Sequence, residues 1–478
     1  MSRVLIIAGG KSDQLVVEKT TQVLDELKIS YRIEYASAHR EVERVKQIVI
    51  NCVEEVIIAI AGLAAALPGA VASYTSKPVI GVPVNVSLEG LDALLSIMQM
   101  PKGVPVATVG IDNGQNAAYL AARILNADTL NRKEIPQTYS EAGVDEAQVS
   151  EMLKVLGNYV RESFRHGEVM HEYGHYANTI KIHDDLCLAI STDGVGSKVL
   201  VAELVGKYDT IGIDCVAMNV NDLLCVGTTP IGFVDYLAVE KPLKTDVIEE
   251  IGKGLLKGCQ ISEIPILGGE TAVLPDMIRG IRSNGLDLAG TAVGLAKPSD
   301  LIDGSSIQSG NVIIGISSNG LHSNGYTLAR KILLSKYKMT DKLPWGTPIA
   351  EELLRPTRIY VPHFKAMKKE EVDIRGIAHI TGSGYRKILR LGSHRYMIEQ
   401  FPEIPLIFQL IREIGNVELS EMFTTFNMGL GLLVVVPEKD SDRALNILNG
   451  IDESYRIGVI EEAEHGSVEI LPYGVSIE

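Results

Sequence analysis

Short wholly apolar runs alternate with amphipathic stretches over the first quarter of the chain. Period-two or unbroken apolar segments predict strands at Arg3–Ala8, Tyr31–Tyr35, Val56–Ile60, Val79–Val82 and Val106–Val109. Helical spacing predicts helices over Gln14–Leu27, Glu41–Asn51, Leu67–Tyr74, Gly90–Met98 and Asn116–Leu125. Strict alternation of this kind implies a parallel sheet covered by helices on both faces, an α/β domain. In such sheets ligands bind beyond the carboxyl ends of the strands. Gly9–Asp13, Ser37–Arg40 and Gly62–Gly69 each follow a strand directly, so they should meet at one sheet edge. The charge-free run Val56–Ala72 contains Gly62 and Pro68-Gly69. A membrane span needs about 20 unbroken apolar residues, so this run reads as strand, glycine loop and buried helix.

The pattern changes further on. Residues 126–150 are polar, and Asn131-Arg132-Lys133-Glu134-Ile135-Pro136 reads as a linker (131–138) ending the first domain near residue 130. From residue 139, strands such as Leu186–Ile190 and Thr291–Ala296 mix with long helices without strict alternation, which implies α+β. A second boundary is expected between Ala296 and Gly304, dividing the remainder into 139–298 and 299–478. A helix-like segment, Asp214–Val226, carries an unusual polar cluster: Asp214, Asn219, Asn221 and Asp222.

Composition narrows the partners. The 478 residues carry a formal net charge of −15, which argues against nucleic acid or an anionic membrane as the main partner. The five cysteines form no CxxC pair and are odd in number. With no signal-peptide pattern at the start, a reducing cytoplasm is the expected setting.

Chemistry enters at the strand ends. Gly9-Gly10-Lys11-Ser12-Asp13 closes a strand and opens a helix, where backbone N–H groups favour phosphate. A Walker A loop is excluded, because its first glycine would fall at Leu5. In Ser37-Ala38-His39-Arg40, the histidine can carry a proton near neutral pH and the arginine can clamp phosphate or carboxylate. With Ala65-Ala66-Leu67-Pro68-Gly69, Gly81-Val82-Pro83-Val84 and Ser96-Ile97-Met98-Gln99-Met100-Pro101, these motifs resemble the carboxyaminoimidazole ribonucleotide mutase / aminoimidazole ribonucleotide (AIR) carboxylase family over residues 3–126. The resemblance implies a flavodoxin-like fold, an octameric core and placement of a carboxylate on C4 of the aminoimidazole ring. It makes His39 the general acid/base, and Ser12, Asp13 and Arg40 holders of ribose phosphate and carboxylate. Gly10, Ser37, Ala38, Gly62, Ala66 and Leu67 complete the expected substrate-binding set. Bacterial mutases usually have a histidine where Ala66 stands and a serine where Gly10 stands, so the carbon donor stays open between CO2 (or bicarbonate) and the N-carboxy derivative of AIR. A non-catalytic oligomerising or ligand-binding module is the alternative reading of this domain.

The second chemical region begins with Asp193-Gly194-Val195-Gly196-Ser197-Lys198 after an apolar strand. Its glycines permit close approach to polyphosphate, Asp193 can bind Mg2+, and Lys198 can neutralise phosphate charge. Asp222, Glu270 (after Gly268-Gly269) and Asp287 supply further carboxylates for the metal, and Asp214, Asn219 and Asn221 join them as nucleotide-binding candidates. Tyr139-Ser140-Glu141-Ala142-Gly143-Val144-Asp145, Gly268-Gly269-Glu270-Thr271, His322-Ser323-Asn324-Gly325-Tyr326, Arg355-Pro356-Thr357-Arg358 and His379-Ile380-Thr381-Gly382-Ser383-Gly384 closely resemble AIR synthetase over residues 139–470. The resemblance implies two α+β subdomains and a homodimer. It also implies ATP- and Mg2+-dependent closure of formylglycinamidine ribonucleotide to AIR, with Asp193 and Lys198 at the reaction and His322 and Asn324 on substrate. The family's glycine-rich loop is replaced here by Met170–Asn178. Within it, His171-Glu172-Tyr173-Gly174-His175 has the form HExxH, but Gly174 disfavours the helix that zinc chemistry requires. The two resemblances together predict a fusion of consecutive purine-forming steps.

Overall fold

A computed structural model describes residues 2–125, 135–282 and 284–478. The linker expected at 131–138 and the domain end near 130 fall largely outside those residues. The chain divides into two compact units, residues 1–134 and 135–478.

The first unit runs β1 (Val4–Ala8), α1 (Gln14–Glu26), β2 (Tyr31–Tyr35), α2 (Val42–Ile50), β3 (Val56–Gly62), α3 (Ala66–Ser73), β4 (Val79–Val84), α4 (Leu91–Met98), β5 (Ala107–Thr108) and α5 (Gly114–Ile124). All pairs are parallel, in the order β2-β1-β3-β4-β5, the flavodoxin-like arrangement. The apolar runs of β1 and β3 are explained by burial on both faces. Val4, Ile6 and Ile58 pack with Ala117 and Ala121 of α5, whereas Leu5, Ile7 and Ile57 pack with Val45, Val71 and Ile97 of α2, α3 and α4. The charge-free run forms β3, a loop and α3, and among the described residues no helix is long and apolar enough to cross a membrane.

The second unit opens with α6 (Glu146–Ser163). A mixed sheet follows, built from β6 (Asn178–His183), β7 (Leu186–Gly194), β8 (Thr229–Val239), β9 (Ile266–Val273) and β10 (Leu286–Ala296), in the order β6-β7-β10-β8-β9. Between these strands lie α7 (Val199–Val205), α8 (Ile211–Cys225) and α9 (Thr245–Ser262). A second sheet is formed by β11 (Val312–Ser317), β12 (Gly376–His379), β13 (His394–Ile398), β14 (Leu430–Val436), β15 (Ser454–Glu462), β16 (Ser467–Ile470) and β17 (Val475–Ile477), ordered β12-β14-β11-β15-β13-β16-β17. Helix α8 touches β7 and β10 of one sheet and β12 of the other, and it is buried along nearly its whole length. One apolar core runs through both sheets of this unit.

Strands β7 and β10 are longer than their apolar cores suggest. Their extensions contain Thr192, Asp193, Asp287 and Ala289, which do not read as strand because one sheet face is open. Ile190, Val234, Tyr236, Leu267 and Val273 are exposed there.

Candidate active sites

In the first unit, the ends of β1, β2 and β3 deliver the three predicted motifs to one cavity of about 320 Å3. Gly9, Ser12, Asp13, Ser37 to Arg40, and Gly62 to Leu67 all line it. Gly10 lies in extended backbone just before the turn that carries Ser12 and Asp13. Ser12 Oγ donates to Asp13 Oδ1 at 3.0 Å. Burial pushes the Asp13 carboxyl upward, against hydrogen bonds from Ser12, Gly10 and Gly9. Ser37 organises the next turn: the Arg40 N–H donates to its Oγ, and its own N–H donates to Glu41. His39 and Arg40 are therefore left exposed at the cavity edge. On the third side, Leu63 (φ 54°) and Ala65 (φ 34°) both hold left-handed backbone. Non-glycine residues rarely do so, and such strain concentrates at ligand-binding loops. Ala66 begins α3 with no side chain long enough to reach across the cavity.

In the second unit, Asp193 sits at the end of β7 against α8. Its N–H donates to Asn219 Oδ1 (2.8 Å), and Asn219 Nδ2 returns to the Asp193 carbonyl (3.1 Å). Burial, reinforced by neighbouring Asp222, pushes the Asp193 carboxyl up; Gly194 N–H, Lys387 and His379 oppose this. Asp222 accepts from His379 Nδ1 at 2.8 Å. The ring of His379 is wholly buried. Asp193 and Asp222 thus feel each other's charge, and such a carboxylate pair suits a divalent cation that brings phosphate oxygens and waters with it.

The other two expected metal carboxylates lie elsewhere. Asp193 is opposite Gly290, whose added Cβ would strike Phe233 and Cys215 on the α8 side. Asp287 is three residues away and so points to the opposite face. Glu270 pairs with Tyr236, which pairs with Ala289 on that same open face. Glu270 and Asp287 are both exposed. The sheet thus separates the four carboxylates into two pairs. Among the described residues no group of three or more His, Cys, Asp or Glu side chains is gathered for a metal.

Lys198 also departs from expectation. Its ammonium is fully buried, pairs with Asp214 (2.8 Å) and donates to the His322 and Arg355 carbonyls. Asp214 Oδ1 additionally accepts from Thr357 N and Oγ1. Burial drives each partner toward neutrality and the opposite charge restrains it. With its donors occupied, Lys198 joins the two sheets' segments and does not face phosphate. The same holds for three other expected ligands. Asn219 is engaged as above. Asn221 Nδ2 donates to the Arg358 carbonyl, and its Oδ1 accepts from Tyr360 N. His322 is buried, and its Nε2 accepts from Asn319 N (3.0 Å) and Arg358 N (3.5 Å). Burial holds His322 well below its usual range. Asn324 remains half-buried beside Gly382, with Nδ2 near Met218 Sδ.

A cavity of about 520 Å3 opens beside this centre, lined by Arg161, His175, Tyr176, Ser191, Thr192 and Arg390 among others. The HExxH segment borders it in irregular turns, not a helix. His171 is tied to Thr179 Oγ1 and the Ile302 carbonyl, and burial lowers His175 to about 4. Sequence reasoning missed Lys387 and Arg390, which approach the Tyr176 ring at 5.8 and 5.1 Å. No phosphate-loop pattern marks them; only folding brings Arg390 to the cavity wall and Lys387 within electrostatic reach of Asp193.

Comparison with known proteins agrees with this division. Residues 3–143 match the family model described as AIR carboxylase. Residues 174–296 and 308–471 match the N-terminal and C-terminal domains of AIR synthase related protein. The phosphoribosylformylglycinamidine cyclo-ligase of Pyrococcus horikoshii is 47% identical over 347 residues, 71% of this chain and 99% of its own length. This chain belongs to the phosphoribosylformylglycinamidine cyclo-ligase (AIR synthetase) family. A second cyclo-ligase, from Methanocaldococcus jannaschii, is 45% identical over 318 residues, 65% of this chain and 88% of its own. Among solved structures, AaThiL complexed with AMPPCP and TMP is 15% identical, with TM-score 0.48, covering 68% of this chain and 96% of that one. These cyclo-ligase relatives leave about the first quarter of the chain to the AIR carboxylase match.

Proposed function

We propose that this protein carries out two consecutive steps of purine formation. In the second unit, the formyl oxygen of formylglycinamidine ribonucleotide attacks the γ-phosphorus of ATP, and ADP leaves. An amidine nitrogen then attacks the formyl carbon, inorganic phosphate departs, and loss of a proton gives AIR. The observation that carries this reading is the Asp193/Asp222 pair beside the Arg390-lined cavity, in a chain 47% identical to a cyclo-ligase. Mg2+ held by Asp193 and Asp222 would neutralise the developing phosphate charge. Tyr176 and Arg390 shape the cavity, and Asn219 fixes the backbone that carries Asp193.

In the first unit, AIR receives a carboxylate on C4. His39 takes the C4 proton, while Arg40, Ser12 and the backbone at Gly9 and Gly10 hold the anionic groups. The gathering of these residues in one cavity supports this activity. With alanine at position 66, His39 is the one histidine among the residues lining that cavity. The open sheet face, bearing Glu270 and Asp287, suits the dimer expected of the second unit. Exposed Leu91, Leu95 and Met98 on α4 suit higher assembly of the first. Buried, unpaired cysteines suit a reducing cytoplasm.

The test is direct. Protein supplied with formylglycinamidine ribonucleotide, ATP and Mg2+ should release ADP and AIR; no ATP-dependent product would refute ring closure. With AIR and bicarbonate, or the N-carboxy derivative, it should form 4-carboxy-AIR. His39→Asn should abolish that product and leave ring closure intact. Carboxylation that persists without His39, or is absent from the parent protein, would make the first unit a binding or assembly module.

A further inference from the structure

We propose that Lys387 is the cation that grips the γ-phosphoryl group of the nucleotide, the role that the sequence suggests for Lys198. This rests on the ATP-dependent reading of the second unit.

Phosphoryl transfer beside two carboxylates poses a charge problem. Asp193 and Asp222 would repel a triphosphate unless fixed positive charge faces them. Lys198 cannot supply it, because its ammonium is fully buried in the Asp214 pair and two carbonyl contacts. Lys387 comes from a short helical turn, Gly384–Leu391, just after the His379–Gly384 loop. Its own carbonyl accepts from the Tyr176 hydroxyl at 2.7 Å, which fixes the backbone. Its ammonium lies 5.8 Å from the centre of the same tyrosine ring. The side chain is thus anchored at both ends against one buried aromatic residue.

What this ammonium lacks is an anion. Among the described residues it forms no ion pair, although most other half-buried cations of this unit do. The Asp222 and Asp193 carboxylates are nevertheless within electrostatic reach. Arg390 stands on the same ring at 5.1 Å, with Nη1 on the His175 carbonyl. It adds a second positive charge at the cavity wall. Half-buried cations without partners are costly unless a ligand completes them. A phosphoryl group bridging a metal on Asp193 and Asp222 to the Lys387 ammonium would satisfy all three.

The experiment uses the full chain, Lys387→Met and Lys387→Arg. Calorimetry with Mg2+ measures affinity for β,γ-methylene-ATP and for ADP, and steady-state assays measure ADP release. Loss of one charged hydrogen bond to phosphate predicts roughly 10- to 100-fold weaker binding of the triphosphate analogue. ADP has no γ-phosphate, so its affinity should stay within about twofold. Lys387→Arg should recover much of the analogue binding and part of kcat. Equal loss of analogue and ADP binding would show a merely structural role and overturn the proposal. So would unchanged analogue affinity in Lys387→Met. If the parent chain binds the analogue with this dependence but forms no AIR, ring closure fails while Lys387 stands. If it binds neither nucleotide, both fail.

Discussion

Lys198 shows how strongly burial governs the meaning of a residue. In Asp-Gly-Val-Gly-Ser-Lys it has the form of a phosphate contact, yet its ammonium is enclosed with Asp214, Thr357 and two carbonyls. Removing one member of such a pair leaves an uncompensated buried charge. Lys198→Met should therefore lower unfolding stability by about 3–5 kcal/mol in urea titrations. Adding Asp214→Leu should restore part of that loss. Nucleotide affinity in the double variant should stay near that of the parent; a selective loss of affinity would return Lys198 to the phosphate site. Glu54 offers a pH test in the first unit. Its carboxylate accepts from Arg32, Ser2 and the Cys52 thiol, and the Arg32 contact in particular holds it well below the usual glutamate range. A depressed folded pKa gives stability that is present above the ordinary glutamate value and lost as pH falls below it. Glu54→Gln should flatten the acid side of this unit's stability profile and cost about 2 kcal/mol at neutral pH. An unchanged acid limb would refute the assignment.

Helix α8 is the element on which the second site depends. It presents Asp214, Asn219, Asn221 and Asp222 in different directions, and packing settles which of them faces a ligand. Asp214 is drawn to Lys198, the two asparagines clamp backbone, and Asp222 is the helix's carboxylate that acts on the Asp193 side chain. The helix is held against α9 through Gly212 and Gly254. A Cβ on Gly212 would lie 2.3 Å from Leu255 N and 2.6 Å from the Gly254 carbonyl carbon. Gly212→Ala should therefore destabilise by about 1–3 kcal/mol through forced backbone separation, even though alanine is the better helix former. It should also reduce ring closure by displacing Asp222. Denaturant titration and ADP release measure the two effects, and a stabilised variant would contradict the close packing. The elements of the first unit were legible because its central strands β1, β3 and β4 are buried on both faces and read as apolar runs, with amphipathic helices between them. Strands β7, β9 and β10 were less so, since their open face carries Thr192, Asp287 and Glu270 among apolar residues.

At the scale of the molecule, the apolar cores respect the division at residues 134 and 135. Two clusters sandwich the first sheet, and a third runs through both sheets of the second unit. No described cluster contains residues of both units. Full-length protein should accordingly show two calorimetric transitions, each reproduced by residues 1–134 or 135–478 expressed alone. A single transition absent from either fragment would show that the units fold as one. The second unit should melt as one body in spite of its two sheets, because α8 lies between them and the Lys198 cluster joins their loops.

The sequence by itself determined the parallel α/β domain, its strand-end motifs, the α+β remainder and the family of each part. Apolar periodicity records burial directly, and the motifs are local in the chain. Tertiary structure alone decided which polar residues meet. It separated Asp193 and Asp222 from Glu270 and Asp287, because neighbouring strand residues point to opposite sheet faces. It enclosed Lys198, Asn219, Asn221 and His322, and brought Lys387 and Arg390 to the centre from a segment with no phosphate-binding pattern. A polar residue's role depends on the partner that compensates its desolvation, and that partner is set by contacts distant in the chain.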